Sequence, residues 1–372
     1  MIYLDNAATS FPKPKEVLKK IDFCLKKCGG NPGRSSHRLS LLASEEVYST
    51  REKVANHFGS SSPECVVFTY NATYALNLAI KTLVKENCHV LTSDYEHNSV
   101  IRPLEKLRET KAVSYTSFDT NGDVRQNILD NLTPKTKGIV CSLRSNVLSS
   151  SLSLKVVSEI AKDNNLFLIV DASQSAGHDI INLSETPCDV FCAPGHKGLF
   201  GIAGVGFAIF KDNIRKESFI EGGSGSESES PHMPNLLPEG YEAGTLSTPA
   251  IASLGAGIDF IDRVGIDNIT KKLSDLSNKT YDALSKIAGV KVYDFNDSIL
   301  SFNYKDYPSS FIASLLDNNR ICARGGLHCA PLAHIKNGTV RQGSVRVSFS
   351  YFNKENDCFS LYKALKEISK VY

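Results

Sequence analysis

Short apolar runs alternate with helix-like stretches through the first two thirds of this 372-residue chain, and that alternation limits the fold more than any other feature. "CVVFT" (Cys65 to Thr69) precedes "ATYALNLAIKTLV", "HVLTSD" (His89 to Asp94) precedes "HNSVIRPLEKLRE", and "GIVCSL" (Gly138 to Leu143) precedes "LKVVSEIAKDNN". The runs "LFLIVDAS", "CDVFCA" and "GVGFAIF" follow. Short β-branched runs separated by helices read as strands buried on both faces, so the expected fold is α/β with a largely parallel central sheet. After Pro249 the pattern changes. Two helical stretches lead to the strand-like "VKVYDF" and "SILSFNY", a helix around Ser309 to Asn319, the strand "SVRVSFS" and a final amphipathic helix. That order predicts a smaller α+β module of ordinary domain size. The expected division is a large domain over residues 13–248 and a small domain over 249–372 joined by residues 1–12. "GGSGSESESP" (Gly222 to Pro231) reads as an exposed loop.

Composition narrows the partners. Hydrophobic content of 41% and charged content of 22% are those of an ordinary globular protein. A net charge of +2 supplies no field for nucleic acid or an anionic membrane, and neither is expected as a partner. No run is long enough to span a bilayer, and "MIYLDNAATSFPKPKE" lacks a basic segment followed by an apolar one. The expected compartment is the cytoplasm, where the ten cysteines stay reduced. None of them is spaced C-x-x-C, so no metal site is expected. Cys65, Cys141, Cys188 and Cys192 lie in strand-like runs and read as small core residues.

Three segments carry chemistry. Asp171 ends the apolar run in "IVDASQSAGH", and ligands of open α/β sheets collect at the carboxyl ends of strands. Such an aspartate binds a sugar, a metal or a ring nitrogen, or merely caps a helix; alone it leaves the choice open. Lys197 follows another strand-like run, in "APGHKGLFG". A lysine in a glycine-rich turn is commonly a solvated charge. Paired with an aspartate at a neighbouring strand end, it suggests pyridoxal 5'-phosphate (PLP), which uses a lysine for its Schiff base and a carboxylate at its pyridinium nitrogen. In "TYNATYALNLAI" the N–H groups of Ala72 and Thr73, with the Thr73 hydroxyl, form an anion site at a helix N-terminus, although a simple threonine cap explains that stretch equally well. G-x-x-x-x-G-K-[ST], G-x-G-x-x-G and H-E-x-x-H are absent. Finally, Cys329 in "ARGGLHCAPL" follows an arginine, two glycines and a histidine, where it does little for a core. Only the thiolate is a competent nucleophile, and adjacent cations favour it; Arg324 and His328 are the expected ones.

Together, "YLDNAATSFPKP", "NPGRSSHRLS", "NATYALN", "YEHNSV", "VDASQSAGH", "GHKGLFG", "EAGTLSTP" and "RGGLHCAP" resemble the class V aminotransferase family, most closely its cysteine desulfurase and selenocysteine lyase branch. The resemblance implies the PLP-dependent transferase fold type I and PLP as cofactor. It makes Lys197 the Schiff-base lysine and Asp171 the partner of the ring nitrogen. His97 then stacks on the ring, and Gln174 bonds its phenolic oxygen. Ala72, Thr73 and His196 hold the phosphate, with Thr245 reaching it from the second subunit of a homodimer. Asn146, Arg324 and Arg346 are the implied substrate-binding residues. The implied reaction converts L-cysteine to L-alanine with a persulfide on Cys329, His97 moving protons, and a sulfur-acceptor protein taking the sulfur on, as in iron–sulfur cluster assembly. L-Selenocysteine as substrate, another class V aminotransferase or epimerase reaction, and a non-catalytic sulfur-carrier or assembly role remain alternatives. Three positions depart from the family's pattern: Pro194 in place of a hydroxyl residue, Leu143 in place of a histidine and Ser149 in place of a glycine. The close spacing of Cys329 and Arg346 predicts a short, restrained cysteine loop.

Overall fold

The structure, a computed structural model, describes residues 1–372 apart from 34, 149, 213, 215–217, 294 and 296. Strand β1 (Ile2–Tyr3) is followed by seven strands of one sheet: β2 (Val66–Thr69), β3 (His89–Ser93), β4 (Ser114–Phe118), β5 (Thr136–Ser142), β6 (Phe167–Asp171), β7 (Val190–Pro194) and β8 (Gly206–Phe210). Their spatial order is β2-β8-β7-β6-β5-β3-β4. From β4 through β7 every pairing is parallel, and β8 runs against both of its neighbours.

Alternate residues of these strands feed two cores, as the two-residue period of a strand requires. Leu168, Val170, Phe191, Phe207 and Ile209 pack into one cluster, while Ile169, Val190, Cys192, Ala208 and Phe210 pack into another. Helices Ala72–Leu83 and Asn98–Lys111 cover the second face; Arg38–Phe58, Leu154–Asp163 and Thr248–Val264 cover the first. Burial on both faces is why these strands read as continuous apolar runs. Strand β4 escapes that reading. It is an edge strand, "SYTSF", with exposed Ser114 and Thr116 alternating against half-buried Tyr115 and Ser117. Cys65, Cys141 and Cys192 are buried as expected, whereas Cys188 is only partly so.

The C-terminal part contains β9 (Val290–Val292), β10 (Ile299–Tyr304), β11 (Ile321–Cys322), β12 (Arg324–Gly326) and β13 (Ser344–Ser348). An antiparallel sheet has the order β12-β13-β10-β9. Strand β1 pairs in parallel with β11, and the Ser348 N–H donates to the Leu4 carbonyl (2.7 Å), so the N-terminal segment lies against this sheet. The last helix, Glu355–Val371, packs on Ile266–Leu284.

One buried ion pair ties the "EAGT" segment to β2. Arg51 donates to both oxygens of Glu242 (2.9 and 2.8 Å), and the Phe68 N–H donates to Glu242 Oε1 (2.6 Å). The two side chains are 6% and 7% exposed. Removing one partner of such a pair strands a buried charge, which costs about 3–5 kcal/mol, far more than a surface pair contributes. Arg51→Ala is therefore expected to lower stability by roughly 3 kcal/mol in urea denaturation. A loss below about 1 kcal/mol would show that the pair contributes no more than a surface one.

Candidate active site

The parallel register sets the frame. Ser142 stands opposite Asp171, and Asp171 opposite Cys192, so the carboxyl ends of β5, β6 and β7 form one edge. Of the residues singled out from sequence, Ala72, Thr73, His97, Asn146, Asp171, Gln174, His196 and Lys197 line a single open cleft of ≈ 550 Å³ there. Pro194 lines it as well.

Two glycines bring the lysine turn to the aspartate turn. Gly177 has φ +85°, and a Cβ on it would stand 2.4 Å from the Gly198 carbonyl oxygen; one on Gly198 would stand 2.2 Å from that of Ala176. Backbone meets backbone with no room for a side chain. The Lys197 amine has no hydrogen-bond partner among the described residues, and its pKa is pushed down to about 8. Burial is the main cause; Asp171 opposes it, while Arg346 and Arg324 add to it. Asp171 is buried, accepting from the Ser173 N–H (2.8 Å) and facing the Ser142 hydroxyl (3.5 Å). Gln174 spends one N–H on the Ala7 carbonyl (3.1 Å).

Also lining the cleft, Asn71, not Thr73, caps helix Ala72–Leu83, its side chain accepting from the Tyr74 N–H (2.9 Å). The threonine-cap explanation is therefore wrong: Thr73 is already helical, and its hydroxyl faces that of Ser99 (2.8 Å). Gly206 on β8 lets this turn come close, since a Cβ there would stand 2.6 Å from the Asn71 carbonyl carbon. His97 caps the next helix, its Nδ1 accepting from the Ser99 N–H (3.0 Å), which leaves the ring proton on Nε2. Burial, chiefly, pushes the His97 pKa down to about 4 against the pull of Asp171. His196 is also pushed to about 4 by burial and by Lys197 and Lys13, and its Nδ1 is buried without a partner. Both rings are neutral near pH 7.

Cys329 is exposed and lies in a four-residue link, 327–330, between β12 and helix Pro331–Lys336. The link is short and tied down, as its spacing predicted. Asn146 donates to the His328 carbonyl (2.8 Å), and the Asn98 N–H donates to the Cys329 carbonyl (2.8 Å). His328 and Cys329 both have left-handed backbones, φ +51° and +58°. Each costs about 1–2 kcal/mol, so those bonds hold a strained turn at the cleft. His328 does not supply the expected cation. Its Nε2 donates to the Ser344 carbonyl (3.0 Å), and burial with Arg346 nearby pushes its pKa to about 2, so the ring is neutral.

Arg346 is no surface charge. It is 1% exposed, donates to the Asn146 carbonyl (3.0 Å) and to Asp5 (2.7 Å), and has its Nε without a partner. Arg324 stands directly opposite it across β12 and β13. Neither of these arginines, nor Cys329, is part of the cleft lining, and the chain's own Thr245 lines a separate pocket, where it accepts from Asn31 (3.2 Å). Leu143 points into the first core rather than the cleft, so the departure there alters packing. Ser149 lies outside the described residues. Tyr95, Ser99, Ser142 and Arg144 also line the cleft. They carry no sequence signal beyond following or ending strands, and Asp5, the partner of Arg346, is far away in sequence.

This donor set fits PLP. A partnerless amine, a buried carboxylate, free helix N–H groups and an orphaned imidazole nitrogen line the one cleft. Fold and site together define an α/β protein of the PLP-dependent fold type I class. The family profile described as "Aminotransferase class-V" matches residues 2–361, and the chain belongs to that family. A probable cysteine desulfurase of Methanothermobacter thermautotrophicus is 31% identical, the match covering 99% of this chain and 94% of that protein. One of Halalkalibacterium halodurans is 30% identical, covering 100% and 94%. Among solved structures, the apo cysteine desulfurase of Thermococcus onnurineus superposes with a TM-score of 0.91 at 28% identity, covering 100% of this chain and 95% of that one.

A depressed lysine pKa has a direct readout. Only the neutral amine reacts with an acylating reagent, so labelling of Lys197 in the cofactor-free protein, followed by mass spectrometry, is expected to rise with a midpoint of about pH 8. A midpoint near the ordinary lysine value of about 10.4 would mean that burial does not act on this amine.

Proposed function

We propose that this chain is a PLP-dependent cysteine desulfurase, converting L-cysteine to L-alanine with transfer of sulfur to Cys329. The observation that carries the reading is that the free Lys197 amine and the Asp171 carboxylate line one cleft, and that the strained Cys329 turn is tied to that cleft through Asn146, itself a lining residue. When bound, PLP supplies a place to store the electron pair released at the substrate Cα. The side chains do the rest. Lys197, whose pKa of about 8 makes a sizeable neutral fraction available just above neutral pH, would hold the cofactor and take the Cα proton. Asp171 would hold the ring nitrogen, and neutral His97 would offer its ring face and an Nε2 proton. Thr73, the Ala72 N–H and His196 would hold the phosphate, and Gln174 would bond the phenolic oxygen.

In this reading Asn146, Arg324 and Arg346 receive the substrate carboxylate, with Arg346 held in place by Asp5 and the Asn146 carbonyl. The Cys329 thiolate then attacks the substrate sulfur. The C–S bond breaks with its electron pair going to carbon, leaving a persulfide on Cys329 and a three-carbon amine that takes one proton at Cβ and regains one at Cα from Lys197 to become alanine. In this reading the small domain, 249–372 with 1–12, presents Cys329 to the large domain, 13–248.

The working unit in this reading is a homodimer, since Thr245 can serve a phosphate only in a second copy's cleft. Because the Cys329 link is short and tied, the persulfide stays at the cleft mouth, and a docking sulfur acceptor collects it. All ten cysteines are free, which suits a reducing compartment such as the cytoplasm, and no helix among the described residues is long and apolar enough to cross a membrane.

Two measurements test this. Cys329→Ser is expected to take up PLP normally but to lose alanine production by a factor of at least about 10², since a hydroxyl is a far weaker nucleophile at neutral pH. Equal alanine yield from the two proteins would defeat the reading and leave a transaminase or epimerase. In sedimentation, the active species is expected at twice the chain mass; a fully active monomer would remove Thr245 from the site.

A further inference from the structure

A buried carboxyl group next to His97 has no part in the scheme above. Glu96 is fully buried at the carboxyl end of β3, and its side chain reaches across to Ser142 at the end of β5. Its Oε1 accepts from the Ser142 N–H (2.8 Å) and from the Ser93 hydroxyl. Its Oε2 meets the Ser142 hydroxyl oxygen at 2.7 Å. The same hydroxyl faces Asp171 Oδ2 at 3.5 Å, at the end of β6. Glu96, Ser142 and Asp171 thus form a row along three adjacent strand ends.

We propose that Glu96 is a positioning residue for Asp171: protonated on Oε2, it donates to the Ser142 oxygen and so turns the Ser142 hydroxyl proton onto the Asp171 carboxylate. The inference rests on the reading of Asp171 as the group facing the cofactor's ring nitrogen.

Ser142 has one hydroxyl proton and two carboxyl groups within reach. With Glu96 ionised, that proton goes to the nearer acceptor, Glu96, and Asp171 loses it. With Glu96 protonated, Oε1 remains the acceptor for its two donors, Oε2 becomes a donor, and the Ser142 proton is released to Asp171. A hydrogen bond to a carboxylate favours its charged form. An ionised Glu96 would instead place a second negative charge beside Asp171. The titratable groups that face Glu96 are Asp171, Tyr95 and Cys141, with Asp94 acting on Tyr95, and none of these is cationic. Burial, with Asp171 nearby, accordingly pushes Glu96 up to about 7, so the switch operates in the physiological range. As pH rises through that value, Asp171 loses its donor and gains a charged neighbour.

The test uses Glu96→Gln, which keeps a donor toward Ser142 but cannot titrate, and Ser142→Ala, which removes the relay and leaves Glu96 in place. In the cofactor-free protein, infrared spectra are expected to show a protonated buried carboxyl band that fades with a midpoint near pH 7. The band should be absent from Glu96→Gln and shifted in Ser142→Ala. In the PLP-loaded protein, the cofactor absorbance should change with the same midpoint in wild type, and that step should vanish in both variants. A band that persists in Glu96→Gln, or three proteins whose cofactor spectra titrate alike, would overturn the proposal. If no form takes up PLP while the infrared results hold, the cofactor role of Asp171 falls and the Glu96–Ser142–Asp171 relay stands.

Discussion

The in-register parallel pairing of β5, β6 and β7 is the constraint on which the site depends. It sets Ser142 beside Asp171 and Asp171 beside Cys192, and it puts the turns that follow these strands on one edge. A one-residue slip of β6 would send Asp171 to the opposite face and bring Leu168 and Val170 out of their core. The two cores that clamp the sheet therefore also hold the carboxylate in place. Stability and site geometry share one cause.

Charge management is the second theme. Two arginines, a lysine, three neutral histidines and a buried carboxylate lie in and around the cleft, and each is kept tolerable in its own way. Arg346 has Asp5 as counter-ion, drawn from the N-terminal segment that β1 anchors to β11. Lys197 is held toward its neutral form by burial. His97, His196 and His328 stay uncharged. The result is a cleft with neutral histidines and a lysine shifted toward its neutral form, and a strained turn at 327–330 tied to it through Asn146.

Much of this was legible in the order of residues. Continuous apolar runs announce strands buried on both faces, because helices cover both sides of a parallel sheet and leave few positions facing water. Asp171 and Lys197 were legible because each directly follows such a run, and the short Cys329 link because of its spacing from Arg346. Where local pattern failed, a neighbour in space was the reason. Strand β4 is polar because it is an edge. Arg346 looks like an outward strand residue until Asp5 and the Asn146 carbonyl bury it. His328 reads as a cation until the Ser344 carbonyl and its burial make it neutral.

The sequence by itself thus determined the fold class, the family and the chemical types at the site, since strand period, helix spacing and short motifs are local properties of the chain. Only the tertiary structure decided protonation states and partners. A pKa depends on burial and on charges that the fold brings from distant positions. Asp5 reaches Arg346, Asn146 reaches His328 and Glu96 reaches Ser142 only because the strand ends and the two sheets are folded onto one cleft.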